Sequence, residues 1–164
     1  MTRFGGVLAL LAATVSASAL ADNDRSCLVK KCSVGDKVVT VATKQDPFFA
    51  CPNRELASYT NTVVGLIQMQ VALSGTFPNI SDKTGEPEYR DQGGQPNRTR
   101  LMLDGLRRGA GVSTFDQAVA RCASGPNRST VTILNVDTDS NVVWVNDERK
   151  KVSFWMPMGN LDKR

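Results

Sequence analysis

Four cysteines constrain the fold of this chain more tightly than any other feature of its sequence. They stand at positions 27, 32, 51 and 122, and an even number of cysteines in an exported protein predicts disulfides in place of free thiols. Three pairings are possible. We favour Cys27 with Cys32, which closes a small N-terminal loop, and Cys51 with Cys122, which joins two distant segments and stabilises the fold by a few kcal/mol.

A zinc site is the alternative use of these cysteines, and the sequence disfavours it. The chain contains no histidine, and the cysteine spacings form no paired CxxC motifs. The turn expected at residues 137–141 carries oxygen side chains at alternate positions, but it lacks the glycine and the twelfth-position acid of a calcium loop. We therefore predict no metal site, and an ordinary hairpin turn at residues 137–141.

The N-terminus has the pattern of an export signal. An arginine near the start precedes a short apolar run at residues 7–15, and Ala19 and Ala21 fit the small-residue positions that a signal peptidase recognises. The apolar run is too short to anchor the chain in a bilayer, and polar residues follow it. We expect a signal peptide at residues 1–21, no integral membrane segment after cleavage, and a periplasmic or secreted bacterial protein.

Length and charge limit what the rest of the chain can be. After the leader, a chain of 164 residues leaves enough for a single domain with one core. We expect an N-terminal arm at residues 22–33 and one domain at residues 34–164. The formal net charge is +4, and basic side chains alternate with acidic ones, so no nucleic acid partner is predicted.

The middle of the chain is predicted to be a helical insertion, at residues 52–123. Apolar side chains recur at three- and four-residue steps between Leu56 and Val71, which indicates a long helix with an apolar face. Thr114 and Gln117 form the pattern of a capping box. Three helices are expected, at residues 52–73 with Pro52 in the first turn, at residues 98–108, and after Thr114.

Residues 75–99 are predicted to form a long loop. The segment is rich in glycine, proline and polar side chains, and loops of this length inside a compact domain are uncommon and often functional. It is therefore the first region of the chain in which we expect a functional surface.

Alternating β-branched and aromatic residues predict strands at both ends of the domain. An early strand is expected at residues 37–43, and three C-terminal strands are expected at residues 130–136, 141–145 and 151–156. Because three strands alone are marginal, the early strand or the helices should cover their apolar face. The predicted fold class is α+β, with a small antiparallel β-meander.

The C-terminal strands resemble those of bacterial SH3-like barrels. The resemblance rests on the apolar segments at residues 131–134 and 143–145, and on a closing Phe154-Trp155-Met156-Pro157 followed by Leu161. It implies that the strand beginning near Gly35 opens a partial barrel and that the helices are an insertion. It also implies a binding module for cell-wall or peptide ligands, with no catalytic residues.

Few residues are suited to catalysis. Without histidine, the usual general base for serine and cysteine nucleophiles is absent, which excludes most hydrolase mechanisms, and we expect no cofactor. Carboxylates remain available. The alternative function is thus a cell-envelope glycan hydrolase in which Glu86, Glu88 or Asp104 carry the acid and base roles.

Four aromatic residues are the candidate ligand contacts, namely Tyr89, Trp144, Phe154 and Trp155. Neighbouring side chains along a strand face opposite ways, so Phe154 and Trp155 cannot both lie in one core. One of the two either packs beneath residues 75–99 or contacts a ligand. We expect an exported, non-catalytic protein that binds a protein or cell-wall partner, including the case of an inhibitor or immunity protein.

Overall fold

The secondary structure is α+β, with three helices and seven strands among the described residues. The computed structural model describes residues 25–91 and 93–163, so the predicted signal peptide at residues 1–21 lies outside the described residues. The helices are α1 (Arg54–Ser74), α2 (Arg98–Gly109) and α3 (Phe115–Val119). The strands are β1 (Lys37–Thr40), β2 (Phe49–Ala50), β3 (Ala123–Ser124), β4 (Thr130–Asp137), β5 (Val142–Asp147), β6 (Val152–Pro157) and β7 (Leu161–Lys163).

Five of these strands form one antiparallel sheet, in the order β6-β5-β4-β1-β7. Val38 of β1 pairs with Val131 on one side and with Lys163 on the other, so the first and last strands of the sheet are neighbours. β4 is irregular between Ile133 and Asn135. The three predicted C-terminal strands are confirmed, and β2 and β3 form a separate two-stranded sheet.

The predicted strand at residues 37–43 is wrong at its end, because β1 stops at Thr40. Beyond that point the backbone leaves the ladder: the Val41 N–H donates to the Asn160 carbonyl at 2.8 Å and the Ala42 N–H donates to Asn127 Oδ1 at 3.1 Å. A 3-10 turn, Met158–Asn160, precedes β7. The sequence analysis did not predict the short strands β2, β3 and β7, which depend on partners distant in sequence.

Side-chain caps set where the helices begin. α1 begins at Arg54 and not at Pro52, because Asn53 is the N-cap and its Oδ1 accepts from the Leu56 N–H at 2.9 Å. The helix ends at Gly75, whose φ of 70° is the left-handed conformation that glycine adopts readily. At α3 the Thr114 hydroxyl accepts from the Gln117 N–H at 3.2 Å, as predicted.

Both predicted disulfides are confirmed. Cys27 is bonded to Cys32, and Cys51 is bonded to Cys122 across 71 positions of sequence. The second disulfide lies beside the small sheet, where Ala50 pairs with Ala123. The start of the helical insertion and its end are therefore joined twice, by a covalent bond and by a pair of short strands.

Two apolar cores lie on opposite faces of the large sheet. Val143 and Phe154 belong to the sheet core, which also contains Val38, Val131, Ile133, Val145, Met156 and Leu161. Val142 and Trp155 belong to the helical core, with Cys51, Leu56, Tyr59, Val63, Leu103 and Ala118. Because neighbouring strand residues face opposite ways, β5 and β6 contribute to both cores.

The long loop predicted at residues 75–99 ends two residues earlier than expected, because α2 begins at Arg98. Between the end of α1 and the N-cap of α2 at Asn97, the described residues contain no helix or strand. They contain a small bridge between Ile80 and Pro87, supported by a hydrogen bond from the Ser81 N–H to the Glu86 carbonyl at 2.9 Å. Within the described ranges, no helix is long and apolar enough to cross a membrane.

Candidate functional site

Of the four aromatic residues that the sequence singled out, the structure brings Trp144 and Trp155 into contact and places Phe154 on the opposite face of the sheet. Phe154 is buried in the sheet core, and Trp155 lies on the opposite face in the helical core. The Trp155 backbone exchanges two hydrogen bonds with Cys51, at 2.8 and 2.9 Å. Trp144 is the cross-strand neighbour of Trp155, with ring centroids 5.7 Å apart. Tyr89, on the long loop, packs against the helical core, and burial raises the pKa of its hydroxyl.

The three candidate acids meet in one cleft, between the long loop and α2. Glu86, Glu88 and Asp104 all line it, together with Tyr89 and Arg100, and its volume is about 370 Å³. Sequence spacing did not indicate this proximity, because Glu86 and Asp104 lie on different elements. The cleft is therefore the place where the alternative of carboxylate catalysis can be examined.

Two of these acids, Glu86 and Asp104, belong to a bonded cluster of four side chains. Glu86 is only 5% exposed; its Oε1 accepts from the Tyr59 hydroxyl at 2.7 Å, and its Oε2 accepts from Arg107 Nη1 at 2.6 Å. The other guanidinium nitrogen, Nη2, donates to Asp104 Oδ1 at 2.5 Å. We call Tyr59, Glu86, Asp104 and Arg107 the clamp.

Burial keeps Tyr59 of the clamp protonated, and the neighbouring carboxylates keep Arg107 protonated. Burial, reinforced by the hydrogen bond to Glu86, raises the pKa of Tyr59, so this hydroxyl stays protonated and donates. Burial disfavours the charged form of Arg107, but the carboxylates of Glu86 and Asp104 outweigh this effect and raise its pKa. The clamp thus joins the long loop to α1 and α2.

This arrangement suits a structural tie better than acid and base catalysis. A carboxyl pair that cleaves a glycoside needs open space for the sugar between the two groups. Here the guanidinium of Arg107 bridges Glu86 and Asp104. Of the three candidate acids, Glu88 is the exposed one.

A second concave surface lies along the C-terminal half of α1, and we call it the α1 groove. Val64, Ile67 and Val71 line one side, with Phe77 at the end, and Lys44 and Pro47 lie on the other side. Its volume is about 520 Å³. Within α1 the last buried residue is Val63, and Leu66 and Ile67 still pack partly against the helical core, so only the C-terminal end of this helix extends beyond it.

Large apolar side chains are exposed near the C-terminal end of α1, and Phe77 among them lines the α1 groove. Leu73 is 81% exposed and Phe77 is 77% exposed, and Met69 is also exposed. No charged residue occurs from Leu56 to Ser81. Exposed apolar surface rimmed by polar groups is typical of an interaction site.

The sequence analysis missed this surface, although a signal was present. Apolar periodicity extends to Val71, which predicted a helix face that packs on a sheet or another helix. The absence of charge over the whole of α1 beyond Glu55 was the additional feature. A solvated helix face normally carries charged residues. The C-terminal part of α1 is partly exposed and carries no charge, which is typical of a helix that packs against a binding partner.

The turn at residues 137–141 is a hairpin turn, as predicted. Asp137 Oδ1 accepts from the Asp139 N–H at 3.1 Å and from the Ser140 N–H at 3.4 Å, and Asp137 also pairs with Arg54 at 3.4 Å. In the part of the chain that the structure describes, no cluster of three or more cysteine or acidic side chains is placed to hold a metal ion.

Comparison of this chain with protein-family models, with characterised proteins and with solved structures found no match. The geometry of the α1 groove and of the cleft therefore carries the functional argument.

Proposed function

We propose that this chain is an exported bacterial binding protein that holds a partner protein in the α1 groove and catalyses no reaction. The observation that carries the proposal is the largely aliphatic α1 groove, at the end of which Phe77 has most of its surface in solvent. Burying such side chains against a partner contributes about 1.5–3 kcal/mol each. An export leader and two disulfides support a periplasmic or secreted location.

The chemistry of the α1 groove favours a protein partner over a cell-wall glycan. A sugar polymer presents hydroxyl groups that need hydrogen-bond partners, whereas the groove walls are mostly aliphatic. Val64, Ile67 and Val71 follow one another at three- and four-residue steps, which suits an amphipathic helix laid along the groove. Lys44 at the rim favours a partner with an acidic residue beside its apolar face.

The strand order supports the proposed SH3-like partial barrel. The last strand, β7, returns to pair with the first, β1, after a 3-10 turn. On this interpretation the segment from β2 to β3 is an insertion into the barrel, and the docking surface is carried by the insertion. An inhibitor or immunity protein is a special case, in which the helix in the groove belongs to an enzyme.

The test is a photo-crosslinking amino acid placed at position 72, where the exposed Ala72 lines the α1 groove, followed by a titration. The protein that it captures is identified, purified and titrated against the wild type. Phe77→Asp should weaken binding by about thirtyfold, as at a typical interface hot spot. Val152→Asp, a matched change at an exposed valine of β6, should leave the affinity unchanged.

Equal affinity of the wild type and Phe77→Asp would contradict the proposal. Capture of a second copy of the chain, with a dimer seen by sedimentation velocity, would make the groove a self-association surface. That result would also contradict a separate partner protein.

Carboxylate-dependent glycan hydrolysis remains the second candidate, because Glu86, Glu88 and Asp104 share one cleft. The purified, oxidised protein is incubated with cell-wall glycan, alongside Glu88→Gln and Glu86→Gln. Turnover by the wild type that both substitutions abolish would establish this candidate and overturn the first. Glu88→Gln is the more informative variant, since Glu88 is exposed and lies outside the clamp.

A further inference from the structure

The N-terminal disulfide loop presents a surface that the proposed function does not use. The loop runs from Cys27 to Cys32, and both cysteines are buried against the sheet core. The residues around the buried disulfide are exposed: Leu28 is 60%, Val29 is 65% and Val34 is 62% exposed. We call Leu28, Val29, Lys30, Lys31 and Val34 the arm surface.

The arm surface is mounted rigidly on the sheet. The Cys27 N–H donates to the Leu161 carbonyl of β7 at 2.8 Å, and the buried Ser26 forms an isolated antiparallel β-bridge with Asp162. Inside the loop, the N–H groups of Val29 and Lys30 both donate to the Ser26 carbonyl, at 2.9 and 2.8 Å. The exposed aliphatic side chains therefore have a fixed position and lose little backbone entropy when they bind.

The arm surface is also positively charged. Lys30 and Lys31 form no ion pair among the residues that the structure describes, and the sequence from Arg25 to Gly35 contains no acidic residue. The next acid after Gly35, Asp36, is already engaged by Lys163 at 3.0 Å and by the Ser33 N–H at 3.0 Å. Within residues 25–91 and 93–163, two lysines therefore stand beside three exposed aliphatic side chains without an ion-pair partner.

Aliphatic and lysine side chains in this combination match the chemistry of an anionic bilayer surface. Apolar side chains enter the boundary between headgroups and acyl chains, while lysine ammonium groups reach the lipid phosphates. Each lysine near an anionic membrane makes a favourable contribution to the free energy of binding, comparable to that of burying a small aliphatic group. A soluble phosphate compound would use the lysines but would leave Val29 and Val34 in water.

We propose that the arm surface docks the protein reversibly on membranes that contain anionic phospholipid, with Leu28, Val29 and Val34 at the interface and Lys30 and Lys31 on the lipid phosphates. The interaction is peripheral, because three aliphatic side chains and two lysines give only weak and salt-sensitive membrane binding. It is independent of the α1 groove.

The test uses the protein purified from the extracytoplasmic fraction, with its N-terminus determined by mass spectrometry. It is sedimented with vesicles of phosphatidylcholine mixed with phosphatidylglycerol, and with vesicles of phosphatidylcholine alone. Binding to the mixed vesicles alone, weakened by added salt, is expected. Lys30→Glu/Lys31→Glu should weaken it by about tenfold or more, and Val29→Ser/Val34→Ser should weaken it severalfold.

The matched control is Lys83→Glu/Arg108→Glu, which reverses two exposed charges in the helical half and should bind as the wild type does. Circular dichroism and thermal unfolding establish that each variant is folded. Failure of the wild type to bind the mixed vesicles would overturn the proposal, as would equal loss in the control or full binding by the serine variant. Saturable binding of soluble glycerol phosphate without vesicles would show a phosphate site instead, and would also overturn it.

Discussion

The five-stranded sheet and the helical insertion differ in how each is held together. The sheet encloses a continuous apolar core, and its strands β4, β5 and β6 are joined by short turns. The helical insertion also has an apolar core, but it adds the Cys51–Cys122 disulfide and the clamp. The C-terminal end of helix α1 extends beyond that core, with Met69 and Leu73 exposed.

This difference indicates that the two halves are stabilised by different kinds of interaction. Local hairpins bring β4, β5 and β6 together with little loss of chain entropy, so burial of apolar side chains suffices there. In the insertion, long connections must be ordered and part of the apolar surface remains in solvent. Covalent and ionic ties then supply the stability that complete burial would otherwise provide. Four predictions test this difference, from the largest expected effect to the smallest.

Loss of the long-range disulfide should have the largest effect. Cys51→Ala/Cys122→Ala opens a loop of 71 positions, which corresponds to about 4 kcal/mol of unfolding free energy in the chain-entropy model. Urea denaturation measures the loss, and hydrogen exchange should show it first in α1 to α3. The control is Cys27→Ala/Cys32→Ala, which opens a loop of 5 positions and should cost about 2 kcal/mol. Equal effects of the two pairs would contradict the comparison.

Removal of the cation from the clamp should have the second largest effect on the free energy of unfolding. Arg107→Leu leaves the buried Glu86 carboxylate without its ion pair, at a cost of about 3 kcal/mol. Arg100→Leu is the matched control, because Arg100 is also on α2 and pairs with an acid of the long loop, Asp91, but in an exposed position. That change should cost less than about 1 kcal/mol. Chemical denaturation measures both, and a larger cost at Arg100 would show that burial does not govern the clamp.

The hydroxyl of Tyr59 should have a smaller, pH-dependent effect. Tyr59→Phe removes a hydrogen bond to a carboxylate and should cost about 1.5–2 kcal/mol at neutral pH. Burial raises the pKa of Tyr59 in the folded protein, so folding favours the protonated form. Its contribution is complete below the ordinary tyrosine pKa of 10.0 and decreases as the pH rises above that value.

Unfolding free energies measured from neutral to alkaline pH check this sign. The difference between the wild type and Tyr59→Phe should shrink above the ordinary tyrosine pKa. Tyr89→Phe provides a reference, since the Tyr89 hydroxyl has no hydrogen bond within the described residues, and it should change neutral-pH stability by less than about 0.5 kcal/mol. A gap that widens at alkaline pH would refute the assigned protonation state.

Substitution in the exposed last turn of α1 should have the smallest effect on stability. Leu73→Asp changes a side chain that is almost entirely in solvent, so thermal unfolding should report a change within about 0.5 kcal/mol. The same variant should keep partner binding, because Leu73 does not line the α1 groove, whereas Phe77→Asp should weaken it. A loss of stability comparable to that of Arg107→Leu would show that this end of α1 packs within the protein.

Local chemistry explains which parts of the fold were predictable. The cap at Thr114, the end of α1 at Gly75 and the alternation in β4 to β6 all depend on residues close in sequence. The ends of β1 and the short strands β2, β3 and β7 depend on partners elsewhere in the chain. The start of α1 was misplaced by two residues because Pro52 and Asn53 are both common at helix starts, and the hydrogen bond of Asn53 decides between them.

The candidate site was predictable only in part. The sequence identified the acids and the aromatics as residue types, but it did not show that Glu86 meets Arg107, 21 positions away. It placed Phe154 and Trp155 on opposite faces, since side chains alternate along a strand, but not which core would receive each. That assignment depends on the pairing of Trp155 with Cys51.

The sequence alone determined most helix ends, the strand alternation and the presence of two disulfides, because short-range geometry and cysteine number are sufficient for these. The tertiary structure alone decided which apolar surface is left uncovered. Helix α1 has a periodic apolar face along most of its length, and only the positions of the sheet and of the other helices determine that full burial ends at Val63 and core packing at Ile67. Exposure is a property of the assembled layers, and the function proposed here depends on it.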